Sequence, residues 1–453
     1  MQHAIALAAF TGPIVDRTLI AVVGVLAAVA AFLVLRRSPK LAVGTWVVVL
    51  CFVPVWIGLG LGFNGNYYLP AVSAAALLVT VALLPIRSFH FSLIDGLVIM
   101  LVVFALASLL TENATIALGF AFSLFTYFVV GYVLGRVAVL RVAASWIYGA
   151  IAVAFTIVAV LTIIEFFGRW NPFVLIHVNN AMYTTWGSLQ SRGGVLRAEG
   201  AFGHSIALGS SLAIAIPMTL AARFPLLVRT GMVLTMLLAT VFTFSRIGMI
   251  GALLGLVLSI VFMRDAISRR SRIVLTSAIV IASAVLFPLV ATVFDDAGAE
   301  ASGSAAYRSD LLSLLGSMNV IGVANSANRD STGQVYFGNF RSIDSQFILT
   351  GLSSGLLALT LIVVALLAGV VLVVTRRATP ATIAVVAQIP ALATVALITQ
   401  YSVFLWFAVG LAASTQLAMR GRGPKERLDD LTLRRRALDE PRELAATPRG
   451  RRT

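Results

Sequence analysis

Apolar stretches long enough to cross a membrane recur along almost the whole chain. A hydrocarbon core of about 30 Å needs roughly 20 consecutive apolar residues in a helix. Stretches near this length, separated by short polar connections, predict about thirteen helical spans, with twelve to fourteen as the range. The pattern predicts an all-α fold, a polytopic transmembrane helix bundle over residues 1–418. The predicted spans lie near residues 18–35, 43–61, 69–86, 93–110, 115–135, 142–167, 205–222, 226–244, 247–263, 273–294, 346–374, 381–399 and 402–418.

The last two predicted spans adjoin so closely that they resemble a single helix. The combined stretch 381–418 is too long for one crossing, and the polar side chain of Gln400 interrupts it. We therefore predict two separate spans. Residues 419–453 follow as a basic tail containing Gly and Pro.

The composition excludes most other classes of protein. Of the 453 residues, 60% are hydrophobic and 11% are charged. Soluble globular domains have roughly 45–50% apolar and about 25% charged residues, so this chain cannot cover a water-facing surface. A soluble enzyme, a disordered chain and a secreted disulfide scaffold are thereby excluded. The single cysteine, Cys51, allows neither an internal disulfide nor a cysteine-based metal site.

The net charge of +15 is explained by where the basic residues lie. Short cytoplasmic loops of membrane proteins collect Lys and Arg, and most of the 33 basic residues here fall in alternate connections and in the tail. This distribution predicts that the C-terminus is in the cytoplasm and the N-terminus is on the other side of the membrane. The tail is expected to contact anionic lipid headgroups, and no nucleic-acid partner is needed.

Two long loops, 168–204 and 295–345, are predicted on the outer, extracytoplasmic side. They carry most of the arginines that the topology places there, on a face where arginine is disfavoured. Contact with lipid headgroups, or pairing with outer acids such as Asp310, is one explanation; an anionic ligand is the other. The outer arginines are Arg17, Arg169, Arg192, Arg197, Arg246, Arg308, Arg329 and Arg341.

The first outer loop ends in the segment 197–204, Arg-Ala-Glu-Gly-Ala-Phe-Gly-His, directly before a predicted helix. Its glycines allow close approach of the backbone to a ligand, and the helix N-terminus offers free N–H groups to an anion. The guanidinium of Arg197 suits a phosphate group. The tight turn at Ser245-Arg246 then joins two spans, which places Arg246 at the outer interface, where snorkelling to water is the alternative explanation.

The second outer loop combines an amphipathic segment with a carboxylate at a helix start. Apolar residues at 307, 311, 314, 315 and 318 share one helical face and predict a short amphipathic helix. Arg341 and Asp344 then lead into a long span that contains Gly351 and Gly355. Asp344 is expected to cap that span, a common use of Asp, or to serve as a catalytic carboxylate, and the two roles are compatible.

Other polar and aromatic residues near the span ends have structural explanations. Asp95 lies at the inner end of its span and Glu165 near the outer end of another, where each can reach water or a polar neighbour. Trp170, Tyr183 and Trp186 are typical of anchors at the membrane interface. Stacking on a sugar is the alternative for these aromatic rings.

These motifs, in this order, resemble the O-antigen ligase/O-antigen polymerase family of bacterial envelope proteins. The resemblance covers roughly residues 195–360: Arg197–His204, the Ser245-Arg246 turn, Tyr307-Arg308 with its amphipathic segment, and Asp344-Ser345 before a glycine-containing span. The chain departs from the family in two ways. Asp344 stands where many members have His, and Ser345 and Ser205 replace the usual Asn.

The resemblance implies a membrane glycosyltransferase. Such proteins transfer a glycan from a polyprenyl pyrophosphate carrier to an acceptor hydroxyl, on a lipid or another glycan, at the outer face of the inner membrane. They generally need no metal or other cofactor, and the sequence has neither an Asp-Xaa-Asp pair nor a His/Cys cluster. For the pyrophosphate we predict Arg197, Arg246 and Arg308, with Arg341 a weaker candidate. Asp344 is the first candidate for a general base, followed by Glu199 and His204.

Two other function classes fit part of the pattern. A flippase or transporter of polysaccharide or lipid carrier is the stronger rival, although transporters often show repeated halves and ionisable groups at the membrane midplane. A glycan polymerase of the shape, elongation and division family is the second. The sugar, its linkage, the oligomeric state and the choice between ligase and polymerase stay open.

Overall fold

The computed structural model describes residues 26, 29–61, 67–84, 89–110, 112, 114–263, 272–274, 276–277, 307, 310–329 and 335–421. The described part of the chain is mostly helical, with 72% helix and few strands. Most of the predicted span 273–294, residues 18–25 of the span 18–35, Arg308 and nearly all of the tail 419–453 lie outside the described residues. Residues 29–37 are helical.

Helices in the described part follow one another with short connections. They are α1 Pro39–Phe52, α2 Ala71–Leu83, α3 Leu93–Ala107, α4 Ala114–Leu124, α5 Val130–Arg141, α6 Ala144–Gly168, α7 Ala181–Trp186, α8 Ser205–Ala221, α9 Leu226–Phe242, α10 Arg246–Phe262, α11 Gln346–Ser354, α12 Leu356–Val374, α13 Pro380–Val386, α14 Ile389–Thr394 and α15 Thr399–Gly421. A π-helical turn, Phe125–Val129, joins α4 to α5. Single 3-10 turns form at Gly200–Phe202 and Leu312–Ser317.

Within the residues that the structure describes, four helices are long and apolar enough to cross a membrane: Ile116–Arg141, Ala144–Gly168, Leu356–Val374 and Thr399–Met419. Seven further apolar helices are shorter, at 10–17 residues. These helices indicate a membrane protein, as the apolar pattern predicts. A bundle of about thirteen spans stays a prediction.

In the described part of the chain, three short antiparallel hairpins interrupt the helices. They pair β1 Gly58–Leu61 with β2 Tyr67–Pro70, β3 Ser191–Arg192 with β4 Val195–Leu196, and β5 Ala327–Arg329 with β6 Val335–Phe337. Strand β1 of the first hairpin falls inside the predicted span 43–61, and the helix of that span ends early, at Phe52. Pro54 explains this end, because the residue before a proline is disfavoured in the helical conformation.

The predicted span 346–374 is two helices, α11 and α12, rather than one. Gly355 separates them with a φ of +93°, and a side chain there would lie 2.7 Å from the carbonyl oxygen of Val320. The second outer loop occupies this break, since the amides of Leu356 and Leu357 donate to the carbonyls of Asn319 and Val320 at 2.9 and 3.1 Å. The apolar run is continuous in sequence, so hydropathy does not reveal the break.

The two predicted C-terminal spans are separate, but the break falls before Gln400 and not at it. Helix α14 ends at Thr394 and α15 begins at Thr399. The intervening residues pair with the start of α11: the Gln346 amide donates to the Val395 carbonyl at 3.1 Å, and its side-chain oxygen accepts from the Leu397 amide at 2.9 Å. Gln346 thus replaces the backbone partners that this segment lacks.

Helix α8 lies at the centre of the core, enclosed by α6, α9, α10, α13 and α15. Nearly every residue of α8 is buried, although many of them are Ala, Gly or Ser. A Cβ on Gly248 of α10 would lie 2.9 Å from the Cα of Gly209 in α8. Glycines at a helix interface allow such a close approach. The start of α8 is therefore held beside the start of α10, which brings the segment 197–204 next to Ser245 and Arg246.

At the opposite end of the bundle, a buried ion pair joins α3 to α5. The Arg136 guanidinium contacts the Asp95 carboxylate at 2.7 and 2.8 Å, and both side chains are almost fully buried. The Tyr132 hydroxyl also donates to Asp95, and Ser414 of α15 accepts from Arg136 at 2.6 Å. Asp95 additionally forms a capping box with Ser92. Asp95 therefore has the structural role expected of it.

Candidate functional site

The first outer loop returns over the end of α6 and fixes a compact turn before α8. Gly200 and Gly203 have φ of +55° and +65°, a conformation that favours glycine. A side chain on Gly203 would lie 2.9 Å from the Trp56 ring and 3.1 Å from the Trp186 carbonyl oxygen. The sequence predicts that these glycines allow the backbone to approach a ligand. At Gly203 the backbone instead approaches Trp56 and Trp186 of the protein itself.

Glu165, near the end of α6, holds this turn in place through hydrogen bonds to its backbone. Its carboxylate accepts hydrogen bonds from the amides of Glu199 and Gly200 at 3.0 and 2.9 Å, and from the side chain of Asn171 at 2.8 Å. All four residues are buried. The structural role predicted for Glu165 is thus specific: it satisfies two backbone amides that would otherwise be buried without acceptors.

Two arginines of the first loop bind the turn that carries Arg246. Arg197 is 7% exposed and donates from Nε to the Thr243 carbonyl at 3.0 Å. Arg192 donates from Nη1 to the next carbonyl, that of Phe244, at 3.1 Å. Phe244 has a φ of +45°, which is uncommon for a residue with a side chain. The guanidinium groups therefore hold the backbone that delivers Ser245 and Arg246.

Arg246 itself is exposed at the first position of α10. Ser245 caps this helix, its hydroxyl accepting from the Gly248 amide at 3.1 Å. Arg246 and Arg197 are thus brought to one turn, as predicted, but in different settings, since Arg197 is buried and Arg246 is accessible. Arg192 belongs to the same cluster and was missed. The Gly193-Gly194 pair, a signal for a two-residue hairpin turn, could have shown that Arg192 folds back toward Arg197.

Glu199 is 1% exposed and lies between these groups. One carboxyl oxygen accepts from the Gln190 amide at 3.1 Å, while the other is buried without a hydrogen-bond partner among the described residues. Burial raises the pKa of Glu199 to about 8, and the nearby Glu165 carboxylate acts in the same direction, against the opposing effect of Arg197. At neutral pH most Glu199 side chains therefore carry a proton and offer a hydrogen-bond donor.

His204 caps α8 through its ring. Nδ1 accepts from the Ile206 amide at 3.1 Å, and Trp186 packs edge-on against the ring with 5.7 Å between centroids. Burial, with a further effect of Arg197, lowers the pKa of His204 to about 4, so the ring is neutral at pH 7. A neutral histidine that accepts at Nδ1 carries its hydrogen on Nε2. His204 is therefore arranged as a hydrogen-bond donor, and the Ile206 amide is not open to an anion.

Arg341 and Asp344 are both exposed at the end of the second loop. Asp344 accepts from the Ser342 hydroxyl at 3.2 Å, and the Tyr307 hydroxyl donates to the Ser342 carbonyl. The expectation that Asp344 caps the following helix is wrong: the cap of α11 is Ser345, whose hydroxyl accepts from the Ile348 amide at 3.3 Å. The Asp344 carboxylate is therefore not used by the helix and faces solvent.

The predicted amphipathic segment forms a short helical stretch that ends in the 3-10 turn Leu312–Ser317. Leu311 and Leu314 are buried against Phe337, Ile343 and Leu352. Leu315, predicted on the same face, is 45% exposed, because the tighter 3-10 turn aligns residues three apart rather than four. The segment packs against α11, so this part of the second loop is folded onto the bundle.

One outer arginine, Arg329, pairs with an acid. Its guanidinium contacts the carboxylate of Glu112, in the connection between α3 and α4. Pairing with an acid is one of the explanations that the sequence leaves open for an arginine predicted on the outer side, and it applies to Arg329. The pair joins the second outer loop to the α3–α4 connection.

The structure thus assembles two groups of candidate residues. Arg197, Glu199, His204 and Arg246 gather at the starts of α8 and α10, whereas Arg341 and Asp344 lie at the start of α11. The segment 395–400 links the two groups, since Val395 and Leu397 pair with Gln346, and Gln400 donates to the Ala201 carbonyl at 2.9 Å. The described residues include no group of three or more His, Cys, Asp or Glu side chains suited to a metal ion. No protein-family model matches the sequence, and no curated protein matches it.

Proposed function

We propose that this protein is a membrane glycosyltransferase that moves a glycan from a polyprenyl pyrophosphate carrier to an acceptor hydroxyl. The observation that carries the proposal is the convergence of three arginines on one turn: Arg192 and Arg197 bind the consecutive carbonyls of Thr243 and Phe244, directly before the exposed Arg246. The resemblance to the O-antigen ligase/O-antigen polymerase family supports the same chemistry. The proposed setting is a thirteen-span bundle in the inner membrane, with the site extracytoplasmic and the C-terminus cytoplasmic.

A fixed positive charge stabilises the pyrophosphate as it leaves the sugar. As the bond to the sugar breaks, negative charge grows on the bridging oxygen, and preorganised donors stabilise it strongly in a poorly solvated site. In this proposal Arg246 contacts the pyrophosphate, and Arg192 and Arg197 keep its turn rigid while adding to the positive potential. The proposal keeps Arg308 and Arg341, both in the second loop by sequence, as further candidates for binding the pyrophosphate.

The neutral side chains of the first loop suit the same anion. The Nε2–H of His204 can donate a hydrogen bond to a phosphate oxygen, whereas Glu199 is too deeply buried for that contact and contributes by being protonated. Neither group adds negative charge at neutral pH, so neither repels the substrate. In the proposal, Glu199 and His204 therefore act on the side of the leaving pyrophosphate, and Asp344 removes the proton from the acceptor.

The transfer step then needs one base. The acceptor oxygen attacks the anomeric carbon, forming the new glycosidic bond, and the bond from that carbon to the phosphate oxygen breaks with its electron pair. The polyprenyl pyrophosphate leaves, and the hydroxyl proton passes to the Asp344 carboxylate. Because Asp344 is exposed and does not cap α11, its carboxylate is available for this role. Arginine charge performs the neutralisation, and the proposal includes no metal or cofactor.

Release of polyprenyl pyrophosphate by the purified full-length chain in detergent tests the proposal. The probe is a polyprenyl-pyrophosphate-linked glycan with a glycan or lipid acceptor. We expect release with the wild-type chain and a loss of about 10²-fold or more with Arg246→Ala. Arg169→Ala is the matched control, since Arg169 is another exposed outer arginine, at the end of α6. Equal rates in the two variants would overturn the pyrophosphate site, and movement of the lipid carrier across vesicles without release would favour a flippase.

A further inference from the structure

An open groove of about 740 Å³ lies along the outside of the bundle between α1 and α6. We call it the lateral groove. Its walls are apolar and include Gly44, Val48 and Phe52 of α1 and Gly149, Val153 and Ile157 of α6. Residues of the proposed pyrophosphate site do not line it, so it is independent of the proposed function.

One end of the lateral groove is basic. Lys40 in the first turn of α1 and Arg223 in the turn between α8 and α9 line this end, together with Ser145 and Trp146 in the first turn of α6. Both cationic side chains are exposed, and within the described residues neither forms a hydrogen bond or an ion pair with a protein group. The described lining includes no acidic residue. The charge of this end therefore complements an anion.

The length of the lateral groove matches one leaflet of a membrane. The lining runs from residue 40 to 52 on α1 and from residue 145 to 157 on α6, which at 1.5 Å per residue is about 18 Å. Half of a hydrocarbon core of about 30 Å is about 15 Å. With the cations at headgroup level, the apolar part would follow an acyl chain through its leaflet.

Two glycines keep the lateral groove open. A Cβ on Gly44 would lie 3.5 Å from the Trp146 ring, and one on Gly149 would lie 3.8 Å from the Phe224 ring. Larger side chains at these positions would fill the space between the helices. Val48, Val153 and Ile157 on the walls are 53%, 43% and 47% exposed, so the apolar lining is accessible from the side.

We infer that the lateral groove binds one anionic glycerophospholipid, with its phosphate between Lys40 and Arg223 and an acyl chain along Val48 and Val153. A free phosphate would leave the apolar length unused, and a neutral lipid would leave the two cations without a counterion. In the orientation proposed above, this lipid belongs to the cytoplasmic leaflet.

Native mass spectrometry of the delipidated full-length chain tests the charge. The probes are phosphatidylglycerol and phosphatidylcholine with identical acyl chains. We expect one phosphatidylglycerol to bind more tightly than phosphatidylcholine, and a weakening of about fivefold for each cation removed in Lys40→Gln/Arg223→Gln. Arg37→Gln/Arg141→Gln is the matched control, because both arginines are exposed and neither lines the groove.

A second pair of variants tests the shape without changing charge. Val153→Trp should fill the lateral groove and abolish tight binding of phosphatidylglycerol. Val160→Trp should leave this binding unchanged, because Val160 is a 44% exposed residue of the same helix that does not line the groove. Equal binding of the two lipids, or unchanged binding in both Lys40→Gln/Arg223→Gln and Val153→Trp, would overturn the inference. Preferential binding of a polyprenyl phosphate over phosphatidylglycerol would overturn the assignment of the occupant.

Discussion

The side-chain amide of Gln400 donates a hydrogen bond of 2.9 Å to the carbonyl oxygen of Ala201, 199 positions earlier in the chain. The same nitrogen also donates to the Val53 carbonyl at 2.9 Å. Gln400 is fully buried near the start of α15, and Ala201 lies between Glu199 and His204. The Gln400 amide therefore connects three parts of the protein: the turn that contains Glu199 and His204, the end of α1, and α15.

Replacing Gln400 by Leu should destabilise the protein and impair transfer together. The substitution leaves the buried Ala201 carbonyl without a donor, at a cost of about 1–3 kcal/mol, and the partly buried Val53 carbonyl loses the same donor at a smaller cost. Thermal unfolding and release of polyprenyl pyrophosphate measure the two effects. Gln416→Leu is the matched control at the other end of α15: its amide donates to the Arg377 carbonyl and the Thr382 hydroxyl at 2.9 and 3.0 Å, in a partly exposed position. Equal losses of transfer in both variants would show that Gln400 has no specific effect on the site.

Breaking the buried Asp95–Arg136 pair should destabilise the protein far more than breaking the partly exposed pair of Glu112 and Arg329. Asp95→Asn leaves the Arg136 guanidinium buried without its counter-charge, and breaking a buried pair in this way costs about 3–5 kcal/mol. Arg329→Ala removes a pair that retains access to water, for which about 0–1 kcal/mol is typical. Unfolding of both variants by heat or denaturant compares them directly. A loss with Arg329→Ala as large as that with Asp95→Asn would contradict this ranking.

Hydropathy could predict the helical fold because apolar runs of membrane length are explicit in the sequence. Hydropathy could not distinguish helices exposed on the surface of the bundle from helices buried inside it, because lipid and the protein core both select apolar residues. Few residues of α12 are buried, whereas α8 is buried along its whole length. Helix α10 packs closely on α8 at two glycines: a Cβ on Gly251 would lie 3.4 Å from the Ala213 side chain, and one on Gly255 would lie 3.3 Å from the Pro217 ring.

Long-range polar contacts were the part of the site that sequence reasoning missed. The convergence of Arg197 and Arg246 followed from helix order, but Gln400 was predicted only as an interruption between spans. Its role depends on partners 199 and 347 positions away. The protonated state expected of Glu199 depends on burial by the same loop, which no local pattern encodes.

The stability of the chain should fall as the pH rises from about 6.5 to 8. Burial raises the pKa of Glu199 to about 8 from its ordinary 4.5, so in this window the folded state holds a proton that the unfolded state has lost. Stability therefore decreases with rising pH, by about 2 kcal/mol over the window at about 1.36 kcal/mol per pH unit. Glu199→Gln should remove this fall, as measured by unfolding between pH 6 and 8.5. A wild-type curve that is flat there, or an identical curve for the variant, would refute the assignment.

Below pH 6.5 the titration of His204 acts in the opposite direction. Burial lowers the pKa of His204 to about 4 from its ordinary 6.5, so between these values the unfolded state binds the extra proton and stability rises with pH. This rise offsets the Glu199 effect between pH 4.5 and 6.5. His204→Asn keeps a side chain suited to capping α8 but removes the titration, so its stability should fall with pH through that range. Wild-type behaviour in His204→Asn would show that the ring does not titrate as proposed.

Asp344 and its neighbour Ser345 should separate cleanly into a catalytic and a structural residue. Ser345→Ala removes the cap of α11 and should cost about 1 kcal/mol of stability, measured by thermal unfolding, with only a modest effect on transfer. Asp344→Asn changes an exposed side chain that does not cap the helix, so stability should stay within about 0.5 kcal/mol of the wild type. Its rate of transfer should fall by about 10²-fold or more, because the acceptor hydroxyl has lost its base. Binding of the donor should be retained, which equilibrium binding of the polyprenyl-pyrophosphate-linked glycan can measure. A normal transfer rate in Asp344→Asn would remove this residue from the mechanism and leave the base to be found elsewhere in the second loop.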